Sequence, residues 1–97
     1  MYFVVFATDK PGHEEVRAAE RPRHSEYIRD PSLPVRVRVG GPTLAPDTEA
    51  MNGSLLIVEA EDITAVEAFV ADDPYCQTGL FETVVIRPFH WGLGQPN

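Results

Sequence analysis

Four short runs rich in β-branched and aromatic residues, Tyr2–Thr8, Val35–Val39, Ser54–Glu59 and Glu82–Phe89, alternate with segments that cannot continue a strand. That order restricts the folds open to the chain more than any other feature. Tyr2–Thr8 is long enough for a central strand, and Asp9-Lys10-Pro11-Gly12 turns the chain after it. Residues 13–29 read as helical, but Pro22 has no N–H to give a helix interior. The expectation is a short piece from His13 to about Glu20, a break, and a second helix starting near Pro22, with His24 in its opening turn. The alternating strand Val35–Val39 is expected to stop at Gly40-Gly41-Pro42, and residues 43–52, which have turn formers and no periodicity, read as a mobile loop. Asp62 is placed to cap a helix with the buried stripe Ile63, Val66, Phe69 and Val70, which Pro74 ends. The sum is β-α-β-β-α-β: an α+β, ferredoxin-like sandwich with a four-stranded antiparallel sheet and both helices on one face.

The 97 residues suit one domain, 1–97, because a second core would have too few residues to bury. Fifteen Asp and Glu against eight Lys and Arg give a net charge of -7, which argues against a nucleic-acid partner. Arg36 and Arg38 alternate with valines and read as the solvent face of a strand. No apolar run approaches the roughly 20 residues that span a bilayer, and the first residues lack the positive flank of a signal peptide. A cytoplasmic protein with no membrane partner is expected. Cys76 is the sole cysteine, so an internal disulfide and a Cys-rich zinc site are excluded. It reads as a small filler beside Tyr75, with a nucleophilic role as the other option. His13 and His90 have no supporting context, and no metal site is expected from them.

The topology brings chemistry to one edge. If the first strand runs up, then the first helix starts at the top, the second strand ends there, the third starts there and the second helix ends there. His24, Gly40-Gly41-Pro42, Ser54 and Asp73 converge on that edge. A histidine in the first turn of a helix lies at the positive end of the macrodipole, which favours a neutral imidazole able to act as a base. A carboxylate on its other nitrogen would fix the tautomer, making His24 and Asp73 an acid/base dyad. Ser54 could bond a substrate oxygen or the imidazole, and the bare backbone at Gly41 allows close approach of a ligand. Plainer alternatives stand beside each: Asp73 as a turn cap before Pro74, Ser54 as the opening of a strand, His24 as a surface histidine, Tyr75 as packing. Against the cap, Asp72 and Asp73 together oppose the dipole at a helix C-terminus.

The start Tyr2-Phe3-Val4-Val5-Phe6-Ala7-Thr8-Asp9-Lys10, the string Arg21-Pro22-Arg23-His24, Gly41-Pro42, Gly53-Ser54, Asp73-Pro74-Tyr75 with Gly79, and Val85-Ile86-Arg87-Pro88-Phe89 together resemble the YciI-like (YCII-related) family of small bacterial proteins. The likeness runs from Met1 to about Trp91. It implies a ferredoxin-like fold that associates as dimers in the manner of the dimeric α/β-barrel proteins, similar to muconolactone isomerases. It also implies an active site pairing a histidine and an aspartate that match His24 and Asp73, with a serine matching Ser54 nearby. One branch resembling the family removes chloride from a chlorinated hydroxyhydroquinone, with that pair as acid/base. The loop between Pro42 and Gly53 is shorter than in some relatives, and Arg23 replaces the small residue that usually precedes the histidine. Arg23 either recognises a carboxylate or phenolate or points to solvent.

Two function classes follow. One is a small cofactor-independent isomerase or lyase, possessing His24 as base, Asp73 as its orienter, and Ser54, Arg23, Gly41 and Tyr75 around a small-molecule ligand. The other is a non-catalytic dimeric ligand-binding or stress-associated module using the same cleft. A homodimer is expected in both, because the first and last strands carry apolar residues at both parities (Phe3, Val4, Val5, Phe6; Val84, Val85, Ile86) and a second sheet would cover the bare face.

Overall fold

The structure is a computed structural model and describes residues 1–95. Strands β1 (Tyr2–Asp9), β2 (Arg36–Leu44), β3 (Met51–Glu59) and β4 (Phe81–Phe89) form one antiparallel sheet in the order β2-β3-β1-β4. Helices α1 (Glu14–Tyr27) and α2 (Ile63–Asp72), with the single turn α3 (Pro74–Gln77), complete the expected ferredoxin-like βαββαβ order. No helix among the described residues is long and apolar enough to cross a membrane.

Alternation along the strands sets the layers. Phe3, Val5 and Ala7 of β1 and Leu56 and Val58 of β3 are buried, and Val66, Phe69 and Val70 of α2 pack onto that face. Each of these side chains other than Ala7 contributes roughly 1.5–3 kcal/mol when fully removed from water. Asp62 caps α2 as its sequence position suggests, its side chain accepting from the Ala65 N–H at 2.9 Å. Ile63, expected in the buried stripe, is instead exposed at the first turn, outside the arc that meets the sheet. On the other sheet face Phe6 lies between its cross-strand partners Leu55 and Val85, all three exposed.

Two further expectations are corrected. First, α1 is continuous through Pro22. The carbonyl that Pro22 leaves without an N–H belongs to Ala18, an exposed residue, and the bonds holding the helix in place lie on either side, at Arg17 and His24. His24 therefore sits in the last turn of α1, not an opening turn, and the positive end of the dipole is not at its ring. Second, β2 runs on through Gly40-Gly41-Pro42 to Leu44, pairing Pro42 with Ser54. It is an edge strand, where a missing proline N–H leaves no neighbour unpaired. A Cβ on Gly40 would meet Leu56 Cδ2 at 2.8 Å, which accounts for a glycine inside the strand. The loop expected over residues 43–52 shrinks to a hairpin turn closed by Ala45 N–H donating to the Ala50 carbonyl at 2.8 Å. Pro74 follows the end of α2 as expected, and also opens α3 at a first-turn position that suits its fixed φ.

Tyr27 ties α1 to α2. Its ring stacks on Phe69 with centroids 5.2 Å apart, and its hydroxyl donates to the Phe69 carbonyl at 2.7 Å. Burial, with Asp72, Asp73 and Asp30 nearby, pushes the phenol up to about 12 from its ordinary 10.0. The folded state thus holds a proton that the unfolded chain releases first, so this stabilisation is complete below pH 10 and disappears as pH rises to about 12. Urea melts across that window are expected to lose less stability per pH unit in Tyr27→Phe than in wild type. Equal slopes would mean the phenol carries no such linkage.

Candidate functional site

Chain segments far apart in sequence meet above the start of β3. Arg17, in the first half of α1, is buried, and its guanidinium holds three groups at once. Nε and Nη2 donate to the two oxygens of Asp9, at the end of β1, at 2.7 and 3.0 Å, and Nη2 donates to Ser54 Oγ at 2.8 Å. Its central carbon also lies 4.5 Å from the centre of the Tyr75 ring. Two-pronged pairing of this kind fixes both partners in direction as well as distance. Ser54 reaches the site because Gly53 lets β1 and β3 approach closely: a Cβ there would run into the Ala7 carbonyl oxygen and meet Thr43 Oγ1 at 2.7 Å.

The second half of the site is built on Asp73, between α2 and α3. Its Oδ1 accepts the Tyr75 N–H at 2.9 Å, capping α3, and its two oxygens lie 2.9 and 3.0 Å from His24 Nδ1. The turn cap and the histidine partner, weighed as alternatives, are one carboxylate. The His24 ring lies flat on Tyr75, with centroids 4.0 Å apart and planes 14° apart. Tyr75 is buried, and burial pushes its phenol up while Arg17 and Arg21 pull it back down.

These contacts decide what the imidazole can do. An ionised carboxylate only accepts, so Nδ1 carries a proton, and in the neutral ring Nε2 holds the lone pair. Nε2 has no hydrogen bond among the described residues, and no buried side-chain nitrogen or oxygen there lacks a partner. Nε2 is therefore open to the adjoining cavity, about 180 Å³ in volume, which Arg17, Arg21, Gly41, Ser54 and Tyr75 also line. A cavity of about 150 Å³ is enough to admit benzene, so this one suits a single ring. A Cβ at Gly41 would meet no protein atom within 4 Å, so that side of the cavity is backbone alone.

Of the six residues singled out in the sequence, His24, Asp73, Ser54, Gly41 and Tyr75 come together. Arg23 does not: it pairs with Glu20 at 2.6 Å, its side chain is 66% exposed, and it borders a separate open groove of about 730 Å³ with Tyr27 and Asp30. Being larger does not give that groove the His24 ring. Sequence reasoning missed Arg17, Asp9 and Arg21. Arg17, Arg21, His24 and Ile28 recur at i, i+4, i+7 and i+11, one face of a helix, and the unbroken α1 makes that face visible. Among the described residues no cluster of three or more His, Cys, Asp or Glu side chains is placed to hold a metal ion.

The YCII-related domain matches residues 1–90. The chain belongs to the YCII-related family. An uncharacterised protein of Haemophilus influenzae is 33% identical over 94 residues, covering 92% of this chain and 96% of that protein. The protein YciI of Escherichia coli is 32% identical over the same shares. Among solved structures, the 5-chloro-2-hydroxyhydroquinone dehydrochlorinase TftG of Burkholderia phenoliruptrix, in complex with 2,5-dihydroxybenzoquinone, superposes with a TM-score of 0.83 at 34% identity, covering 93% of this chain and 94% of that one. An antibiotic biosynthesis monooxygenase superposes with a TM-score of 0.53 at 13% identity, over 92% of this YCII-related chain and 97% of its own, which speaks for the dimeric α/β-barrel type of fold alone.

Proposed function

We propose that this chain is a small acid/base enzyme that moves protons on a hydroxylated aromatic or enol-like metabolite, by isomerisation or by elimination. One observation carries the reading: His24 gives Nδ1 to Asp73 and leaves Nε2 open to a one-ring cavity. His24 takes a proton from a substrate hydroxyl at Nε2 and returns it to a neighbouring carbon, which is a keto–enol shift. Asp73 orients the ring and balances the charge that develops on it. Ser54, held by Arg17, and the Tyr75 hydroxyl are the donors for substrate oxygens. Gly41 gives the substrate room against the strand. Where the protonated carbon carries chloride, a second hydroxyl loses its proton, the chloride leaves with its bonding pair, and the ring becomes a quinone. Two hydroxyl protons are lost, one is retained on carbon, and the sum is loss of HCl. No cofactor enters the scheme.

The likeness to TftG supports this choice of substrate class. The binding-module reading would be favoured by an exposed His24 turned away from Asp73, whereas His24 is 8% exposed and faces it. The test is anaerobic incubation with 5-chloro-2-hydroxyhydroquinone and a panel of hydroxylated aromatics, following chloride release and ring absorbance. Enzyme-dependent conversion of any of them is expected, and none across the panel would leave the binding module in its place.

A homodimer belongs to the same proposal. Phe6, Leu55, Val85 and Val39 are each at least 36% exposed on the strands, and the first three form a row across β3, β1 and β4. Contiguous apolar rows of this kind are rarely left to water. Sedimentation is expected to give twice the mass of one chain for wild type and one chain's mass for Phe6→Arg, which puts a charge at the centre of the row. A monomeric wild type at micromolar concentration would refute it.

A further inference from the structure

The basic side chains of this acidic protein are unevenly placed. Only eight Lys and Arg stand against fifteen Asp and Glu. Yet Arg17, Arg21 and Arg29 all line the His24 cavity, and no carboxylate among the described residues does. They differ in what they have left to offer. Arg17 is spent on Asp9 and Ser54. Arg29 gives Nη1 to the Ser25 carbonyl at 2.9 Å and has no carboxylate partner among the described residues. Arg21 has neither an ion pair nor a hydrogen bond among the described residues, although fifteen carboxylates are available to it. It is exposed at the mouth, one turn beyond Arg17 and three residues before His24 on the same face of α1. By contrast Arg23, just outside that face, is paired with Glu20. A chain of net charge -7 repels anions at long range, so unpaired guanidinium groups beside a one-ring cavity have a specific use.

We propose that the cavity takes its substrate as an anion of a single ring, an ionised enediol, hydroxyquinone or aromatic carboxylate, and that Arg21 is the residue that recognises the charge. The proposal rests on the acid/base reading for its choice of cavity, and deepens it by naming the ionisation state of what enters. Such an anion places its charged oxygen at the mouth against Arg21 and its ring beside the His24–Tyr75 stack. The planar fork of Arg21 suits two adjacent oxygens better than an ammonium would.

Two probes of equal ring size separate charge from shape. 2,5-Dihydroxybenzoquinone is a vinylogous acid and an anion at neutral pH, whereas hydroquinone is neutral there. Calorimetric titration of wild type is expected to give at least about ten-fold tighter binding of the anion. Arg21→Gln is expected to weaken the anion roughly ten-fold and hydroquinone by less than about two-fold. Arg21→Lys is expected to recover part of the loss, and Arg23→Gln to change neither. Raising NaCl from about 50 mM to about 500 mM is expected to weaken anion binding in wild type more than in Arg21→Gln. The proposal falls if wild type shows no preference for the anion, if Arg21→Gln weakens both probes alike or neither, or if Arg23→Gln matches it. Arg21-dependent anion binding without turnover of any substrate overturns only the acid/base reading. Turnover that saturates at the same substrate concentration in Arg21→Gln as in wild type overturns only the present one.

Discussion

Replacing His24 by Asn is expected to lower turnover by roughly 100- to 10,000-fold while leaving the fold and the binding of 2,5-dihydroxybenzoquinone nearly intact. The range is that of a positioned general base. Asn puts its amide nitrogen where Nδ1 stood, keeping a donor toward Asp73 and a flat amide over Tyr75, so neither the buried carboxylate nor the ring beneath loses its neighbour. What goes is Nε2. Asp73→Asn makes the complementary change, because its amide oxygen can still accept the Tyr75 N–H and cap α3 while the negative charge beside Nδ1 is gone. Turnover by that variant is expected to fall at least ten-fold with a melting temperature close to wild type. A His24→Asn protein that releases chloride at the wild-type rate would remove His24 from the chemistry.

The largest stability effect is expected at Arg17, a residue outside the acid/base pair. Arg17→Met leaves the buried carboxylate of Asp9 without its partner, and breaking a buried pair from one side costs about 3–5 kcal/mol. For a chain of this size that is a fall in melting temperature of about 12 °C or more. Asp9→Leu in the same chain removes the stranded charge and is expected to restore most of the loss. Activity is not expected to return with stability, because Ser54 has lost the Nη2 donor that holds it. A fall of under about 4 °C for Arg17→Met would mean that water reaches Asp9 and the pair is a surface one.

How much of this was legible in the sequence can be traced residue by residue. The four strands and the Asp62 cap follow from local pattern, because period-two alternation and a side-chain acceptor before a helix need no knowledge of the rest of the chain. Pro22 and Gly40-Gly41-Pro42 misled for one reason: each is a local breaker whose missing N–H or side chain falls where tertiary structure does not require it. Ala18 is exposed, and β2 is an edge. Ser54 and Asp73 reach one edge by topology, but His24 was expected there on an opening helix turn that it does not occupy: it meets Asp73 from the last turn of α1. Arg17 and Asp9 were illegible because arginine and aspartate are ordinarily solvated, and only a buried two-pronged pair makes them structural. Arg23, next to the histidine in sequence, was expected at the ligand, but one step along a helix turns a side chain by about 100° away from its neighbour.

Asp73 and His24 are 49 positions apart, and Arg17 and Ser54 are 37 apart. No hairpin or helix formed early from neighbouring residues contains either pair. Closing such long loops costs more chain entropy than making local contacts, so on the proposed reading a copy that has not docked both pairs lacks the assembled site. Partly assembled copies can carry near-complete helix and strand content and still be chemically inert, which makes recovered turnover a stricter gauge of the native state than circular dichroism.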